Sequence, residues 1–234
     1  MVHDALDYPS RKVSLGAWAA IVGPTLFVVV FTLEGWYRPG YEPAKMYVSA
    51  LSLGPRGWIQ ILNFVVVGIS FLLFARAIVA QFPNGAAARA GPILFAIMGL
   101  SLLASGPFVM DPQATPFSQM AWHSRVHHVL GAVVFSLGPA SCLVFFRRFR
   151  RDPAWRPLGA WTFAAGLLMA AAVVLMKLAT LPGGASVNAL QAWLGAIQRV
   201  AIVSLMAWVA SLGWWMLREG FQQPFPPLAR GPTR

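Results

Sequence analysis

The chain contains six apolar runs, each long enough to cross a bilayer as a single α-helix. The hydrocarbon core of a bilayer is about 30 Å thick, so a crossing helix needs about 20 mostly apolar residues. By this length rule, the six spans lie at about 14–35, 57–80, 90–110, 124–146, 156–180 and 190–217. Pro24, Pro107 and Pro139 fall inside three of them, and we expect a local kink at each of these prolines. We therefore predict an all-α integral membrane protein, built as a bundle of six transmembrane helices.

The composition agrees with a membrane protein and argues against other classes. Of the 234 residues, 58% are hydrophobic and 11% are charged, which leaves too little polar surface for a soluble domain of this size. The net charge of +11 does not predict a nucleic-acid partner, because the basic residues cluster between the apolar runs rather than on one face or tail. The single cysteine, Cys142, lies within an apolar run, so we predict a core residue with neither a disulfide nor a cysteine metal site.

Two short segments flank the predicted bundle. Residues 1–13 carry Arg11 and Lys12 ahead of the first apolar run, a pattern that resembles a signal peptide. That run is long enough to span a membrane and lacks a convincing small-residue cleavage site, so we predict an uncleaved first helix. Residues 218–234 are predicted to form an irregular, proline-rich tail.

The distribution of lysine and arginine predicts the orientation in the membrane. Twelve of these residues lie on the side that holds both predicted ends, five lie on the opposite side, and Arg199 lies within the sixth span. Loops that face the cytoplasm carry the excess of basic residues. We therefore predict that both termini are cytoplasmic and that the protein resides in the inner (cytoplasmic) membrane of a bacterial cell.

This orientation places the unusual polar residues toward the outer face. They lie in the outer parts of the spans or in the 36–56 loop, and they are Glu34, Ser49, Ser52, Asn63, Asp111, His123, His127, His128, Lys177, Gln198 and Arg199. Ionisable side chains within a membrane are costly to desolvate and indicate a functional site by default. We predict a polar pocket in the outer-leaflet half of the bundle, with the ligand-binding residues Ser49, Asn63, Asp111, His127, His128, Gln198 and Arg199.

Structural roles remain open for several members of this cluster. Arg199 can extend its side chain outward to the membrane surface, because the sixth span has residues to spare. His127 and His128 are adjacent on a helix and point about 100° apart, so at least one of them is expected to face the bundle. Glu34 and Lys177 are weaker candidates, because they stand at span ends that we expect to be exposed to water.

The leading functional hypothesis is that this pocket binds a lipid headgroup or another small amphiphile. His128, Asp111 and Arg199 would anchor the ligand, with Arg199 contacting a phosphate or carboxylate as a forked donor. The predicted partner is therefore membrane lipid, and no cofactor is required.

Two alternatives belong to other functional classes. In the first, His123 and His127 are spaced i, i+4 on one helix face and bind zinc with Asp111 as third ligand, in a metal-dependent hydrolase acting on lipid. In the second, the chain is an accessory or structural subunit of a larger membrane complex, or a homo-oligomer. That alternative uses the tryptophan-rich sixth span, which contains Trp208, Trp214 and Trp215. Whether the protein is an enzyme stays open at this point.

Four segments, taken in order, resemble one known family. They are GYEPAKMYVSALSLGPRGWIQILNFVVVG (40–68), GPFVMDP (106–112), HHVLGAVVF (127–135) and QRVAIVSLMAW (198–208). This ordered set resembles the bacterial and archaeal six-span membrane family known as domain of unknown function 998, over nearly the whole chain. The resemblance implies a fold and a site, but it assigns no reaction to that site. The corresponding positions are Ser49, Asn63, Asp111, His127 or His128, Gln198 and Arg199.

A more distant resemblance extends to the eukaryotic FRAG/DRAM/Sfk membrane proteins. The shared features are a serine-bearing first outer loop, an asparagine early in the second span, and the run HVLGA at 128–132. Members of that group take part in lipid handling, including the remodelling of glycolipid anchors. The resemblance therefore implies a lipid-related function by analogy of fold and site.

Overall fold

The computed structural model describes residues 11–181 and 189–222, and this part of the chain is helical, without β-strands. Its long helices are α1 (Arg11–Tyr37), α2 (Gly57–Gln81), α3 (Ala86–Ser105), α4 (Trp122–Phe149), α5 (Gly159–Leu178) and α6 (Leu194–Gln222). Each of the six is long and apolar enough to cross a membrane. The predicted fold class, an all-α membrane protein with six spanning helices, is confirmed. Most of the predicted N-terminal segment and of the proline-rich tail lies outside the described residues.

The third helix ends earlier than the apolar run suggests. Residues 90–110 were expected to form this span, whereas α3 ends at Ser105. The expectation of a kink at Pro107 is therefore wrong, because Pro107 follows the helix. Proline has no N–H with which to continue the helical hydrogen bonds. Pro92 is the proline that lies inside α3, while Pro24 and Pro139 lie inside α1 and α4 as predicted.

The helices form a closed ring. Each one packs against its neighbours in the sequence, and α6 packs against α1. Because successive helices run in opposite directions, the connections 38–56 and 106–121 lie at the same end of the bundle as the last residue of α5 and the first residue of α6. We call this the long-loop end. The connections 82–85 and 150–158 lie at the other end, which we call the short-loop end.

Aromatic side chains fill the ring from its middle to the short-loop end. The Trp208 ring lies 5.9 Å from that of Phe95 and 5.7 Å from that of Phe145, between centroids. Trp208 is fully buried, and its indole N–H donates to Thr162 Oγ1 at 3.1 Å. Trp208 is therefore a core residue and does not belong to an outward tryptophan-rich surface, whereas Trp214 is 60% exposed.

The helices α4 and α5 pack closely only away from the long-loop end. A methyl group built on Gly166 of α5 would meet Cβ of Cys142 at 2.8 Å, and one built on Gly138 of α4 would meet Sδ of Met169 at 3.1 Å. A methyl group on Gly131, about 10 Å further along α4 at 1.5 Å per residue, would meet nothing within 4 Å. The two helices thus leave open space between them at the long-loop end.

Candidate functional site

This space is a cavity of about 230 Å³ in the long-loop half of the bundle. Side chains of the helices α1 to α6 and of the 47–49 segment line it, and most of them are apolar. The apolar walls include Phe27, Phe64, Met110, Ile202 and Met206. Within residues 11–181 and 189–222, no carboxylate lines the cavity, which joins an apolar interior to a smaller set of neutral and basic groups.

The cavity opens between α4 and α5. Five of its lining residues are exposed, namely His128, Ala132, Ser136, Lys177 and Thr180. They all belong to α4, to α5 or to the residues directly after α5. In a membrane-spanning bundle, a gap between two adjacent helices faces the lipid, so the opening is lateral.

Ser49 and Gln198 also line this cavity, and both are buried. Gln198 Oε1 accepts a hydrogen bond from the backbone N–H of Val48 at 2.8 Å. Since an N–H requires an acceptor, this contact fixes the orientation of the amide and leaves its NH₂ group as a donor. In the part of the chain that the structure describes, neither this NH₂ group nor the Ser49 hydroxyl has a hydrogen-bond partner. Both groups are therefore free to contact a ligand.

His127 is the buried histidine of the cavity, being 7% exposed. Its Nδ1 donates to the carbonyl of Phe108 at 2.8 Å, and its ring edge packs against Phe64 with 5.9 Å between centroids. His128 lies at the mouth, where its Nδ1 donates to the Ser124 carbonyl at 2.8 Å. A carbonyl only accepts, so Nδ1 of each ring carries a proton, and Nε2 of a neutral ring is an acceptor. Both histidines line the cavity, one inside and one at its edge.

His123 and Asp111 hold the 106–121 loop and do not line the cavity. His123 Nδ1 donates to the Val109 carbonyl at 2.7 Å. Asp111 Oδ2 accepts from the N–H of Ala121 at 2.7 Å, and the Asp111 N–H donates to Ser124 Oγ at 2.9 Å. The described residues contain no group of three His, Cys, Asp or Glu side chains placed to hold a metal ion. The i, i+4 pair of histidines instead fastens residues 108 and 109 to α4.

Asn63 lies between α1 and α2, outside the cavity lining. It is 4% exposed, and its Nδ2 donates to the Phe27 carbonyl at 3.0 Å and to Gln60 Oε1 at 3.3 Å. The first of these bonds links two adjacent helices. The geometry thus places Asn63 as an interhelical contact.

Arg199 also lies outside this cavity, although its neighbour Gln198 lines it. Arg199 Nη1 donates to three carbonyls, those of Pro43 at 2.6 Å, Met46 at 3.0 Å and Gly195 at 3.1 Å. Its Nη2 donates to the Tyr41 hydroxyl at 2.5 Å. Burial raises the pKa of Tyr41, so that hydroxyl stays neutral. Arg199 therefore ties the 38–56 connection to α6 from the side away from the cavity.

Glu34 is buried rather than exposed to water, so the expectation for this residue is wrong. Its side chain is 7% exposed, and its carboxylate accepts hydrogen bonds from Arg38, at 3.1 Å, and from Arg56. Arg38 also donates to the carbonyls of Leu51 and Leu53, at 2.7 and 3.0 Å. The carboxylate raises the pKa of Arg56. Through these contacts, the end of α1 is joined to residues 51–56, which directly precede α2.

Three residues of this region were missed or undervalued in the sequence. Lys177, set aside as a water-exposed span end, lines the cavity mouth and is the only lysine or arginine among the lining residues that the structure describes. Gly131 supplies the open space on α4. Gln113 accepts from the Tyr47 N–H at 2.9 Å and donates to the Lys45 carbonyl at 3.1 Å. The predicted fifth span, 156–180, is longer than a bilayer crossing requires, and this could have indicated that Lys177 lies within the bundle. A glutamine in a loop, such as Gln113, gives no comparable signal in the sequence.

Comparison with known proteins gives one family. The model of the family described as "Protein of unknown function (DUF998)" matches residues 21–215, which is most of the chain and includes all the cavity-lining residues. No curated protein and no solved structure matches the chain.

Proposed function

Since the chain belongs to the family of unknown function DUF998, as its ordered motifs predicted, we propose its function from the geometry of the cavity between α4 and α5. The protein binds an anionic amphiphile there, with the headgroup at the mouth and an apolar part inside. The lateral opening, which joins an apolar interior to a basic mouth, carries this proposal.

The chemistry of the lining supports an anionic headgroup. Lys177 and His128 lie at the mouth, and no carboxylate among the described lining residues neutralises the charge of Lys177. Deeper in the cavity, the Gln198 amide offers a donor and the Ser49 hydroxyl offers both a donor and an acceptor. The charged and polar groups therefore recognise a headgroup, while the surrounding aromatic and aliphatic side chains accept hydrocarbon.

The size of the cavity limits what it encloses. Pockets that enclose a drug-sized ligand measure about 300–1,000 Å³, and this cavity measures about 230 Å³. It therefore suits a headgroup or a segment of one acyl chain, with the remainder of the lipid lying between α4 and α5 in the membrane.

Filling the cavity is the direct test. In Gly131→Leu, the new side chain enters open space, so we expect the helix to form normally and the cavity to close. The amount of lipid retained by the detergent-purified protein should fall about tenfold, measured by native mass spectrometry with lipid extraction. Ala140→Leu is the matched control, because Ala140 is exposed on the same helix and does not line the cavity.

Equal lipid retention in Gly131→Leu and Ala140→Leu would overturn the proposal. Retained lipid that is zwitterionic rather than anionic would contradict the assigned headgroup. Hydrolysis products of lipid in the wild-type sample would favour the hydrolase hypothesis over the binding proposal.

We further propose that the long-loop end faces the outside of the cell and that both termini are cytoplasmic, because the short-loop side carries the excess of lysine and arginine. Cysteine labelling tests this orientation. A membrane-impermeant maleimide applied to intact spheroplasts should label Ser118→Cys, in the 106–121 loop, and leave Ala154→Cys unlabelled until the membrane is opened. Both positions are exposed, and the native Cys142 is buried, so it serves as an internal blank. The reverse labelling pattern would invert the orientation.

A further inference from the structure

A second concave surface lies on the other side of the 38–56 connection, between α1 and α6. It measures about 450 Å³. Its floor includes the buried rings of Phe31 and Tyr41, and its outer wall includes the exposed residues Thr32 and Trp36. Arg199 lies at this surface, which shares no lining residue with the cavity between α4 and α5. We call it the Arg199 groove.

The guanidinium of Arg199 has a charge that no neighbour neutralises. Its hydrogen-bond partners are three backbone carbonyls and the neutral hydroxyl of Tyr41. None of the ion pairs among the described residues includes Arg199. The rings of Phe31 and Tyr41 add cation–π contacts, with their centroids 5.8 and 5.6 Å from the guanidinium carbon. These contacts stabilise the cation but leave its net charge in place.

Two of the five guanidinium N–H bonds have no acceptor in the described part of the chain. Nη1 uses both of its hydrogens on carbonyls, and Nη2 uses one on Tyr41. The remaining donors are Nε–H and one N–H of Nη2. These two nitrogens form one edge of the planar guanidinium, and a pair of parallel donors matches two oxygens of a phosphate.

The groove lies at the depth of lipid headgroups. Arg199 follows the first residue of α6 by five residues, which is about 7.5 Å along the helix at 1.5 Å per residue. Trp36, at the end of α1, is 81% exposed. Exposed tryptophan rings at helix ends mark the interface between hydrocarbon and headgroups. Arg199 therefore lies near the layer where lipid phosphates are found.

From this geometry we propose that the Arg199 groove binds a phosphate oxyanion, supplied by an anionic phospholipid or by free phosphate, through the unpaired Nε and Nη2 donors of Arg199. The oxyanion neutralises the guanidinium that holds the 38–56 connection. The glycine at position 35 allows Tyr41 and Arg199 to pack close to α1, since a methyl group built there would lie 3.0 Å from the Tyr41 ring and 3.7 Å from Arg199 Nη2. The proposal does not depend on the cavity between α4 and α5.

Blocking the groove without removing Arg199 gives the test. Thr32 lines the groove, and among the described residues its hydroxyl bonds only to the Val28 carbonyl of its own helix, at 2.7 Å. Thr32→Phe should therefore fill the groove and leave the Arg199 contacts intact. Titration of the purified protein with dioleoyl phosphatidylglycerol, followed by native mass spectrometry, should show an apparent Kd that is about tenfold higher than that of wild type. Leu33→Phe is the control, since Leu33 is exposed on the same helix and does not line the groove.

The two sources of phosphate are separated by competition. The competition is done on the wild-type protein, and it concerns the phosphatidylglycerol whose binding is weakened in Thr32→Phe. If millimolar inorganic phosphate displaces that lipid, the groove binds the phosphate oxyanion itself, whatever its source. If inorganic phosphate has no effect on that lipid, the groove binds the phosphodiester of a lipid. An unchanged Kd in Thr32→Phe, or an equal loss in Leu33→Phe, would overturn the proposal. Loss of the same bound lipid in Gly131→Leu would also overturn it, because that lipid would then belong to the other cavity.

Discussion

We expect Glu34→Gln to lower the free energy of unfolding by about 3 kcal/mol. The Glu34 side chain is 7% exposed, and its carboxylate pairs with Arg38 and Arg56. Removing one partner of a buried ion pair costs about 3–5 kcal/mol, because the remaining charge stays desolvated. We place the loss at the lower end, because the Arg56 side chain is 58% exposed and water screens its charge, whereas that of Arg38 is only 13% exposed.

The chain provides a matched control for this variant. Glu42 pairs with Lys45 at 2.5 Å, but the two side chains are 60% and 57% exposed. Exposed ion pairs contribute about 0.2–1 kcal/mol, so Glu42→Gln should change the stability little. Both variants remove the same charge from the same end of the bundle, and chemical unfolding of the purified protein in mixed micelles compares them. Equal stability of Glu34→Gln and Glu42→Gln would show that burial of the Glu34 cluster does not contribute to stability.

The second large effect is expected at Gly68, where α2 contacts α3 through the backbone. A methyl group on Gly68 would lie 2.5 Å from the Leu103 nitrogen and 2.8 Å from the Gly99 carbonyl oxygen. These are backbone atoms, so Gly68→Ala can be accommodated only if the two helices move apart. Overpacking of this kind costs about 1–3 kcal/mol. Close approach through glycine is also a main source of helix association in membranes, where lipid is as apolar as the helix surface.

Gly131→Ala is the control for this substitution. Alanine is favoured over glycine within a helix by about 1 kcal/mol, and a methyl group on Gly131 meets nothing within 4 Å. Unfolding measurements should therefore find Gly131→Ala as stable as wild type or slightly more stable, and Gly68→Ala less stable by about 2 kcal/mol. A Gly68→Ala protein as stable as the control would mean that α2 and α3 separate at little cost.

The polar residues show what position along a span can predict. Ser49, His127, His128 and Gln198 were expected to share a pocket, and the structure brings these four residues to one cavity. Antiparallel helices place the C-terminal ends of odd-numbered spans and the N-terminal ends of even-numbered spans at the same end of the bundle, so residues far apart in the sequence can meet there. Their assignment to a ligand stays a prediction, which the cavity-filling variant tests.

Grouping polar residues by the side of the membrane was not sufficient to place Asn63, Asp111 and Arg199 in one pocket. All three lie at the same end of the bundle as the cavity but outside it. Asn63 forms a contact between two helices, Asp111 holds a loop, and Arg199 lies in the Arg199 groove. Gln198 and Arg199 are adjacent on α6 and point about 100° apart, so they reach opposite sides of the 38–56 connection. Membrane depth can be read from position in an apolar run, but direction around the helix axis cannot.

The sequence by itself determined the class of the protein, the number and approximate limits of its spans, and the end of the bundle at which its polar residues lie. Hydrocarbon cannot hydrogen-bond to a backbone, so long apolar runs must form helices, and their length follows from the thickness of the bilayer. Only the tertiary structure decided which faces of the helices meet, and with them the cavity beside Gly131 and the groove beside Arg199. In a soluble protein, an apolar stripe would have marked the inward face of each helix. Lipid and protein interior are equally apolar, so these helices are apolar all round, and their rotation is set by close packing and by a few specific hydrogen bonds.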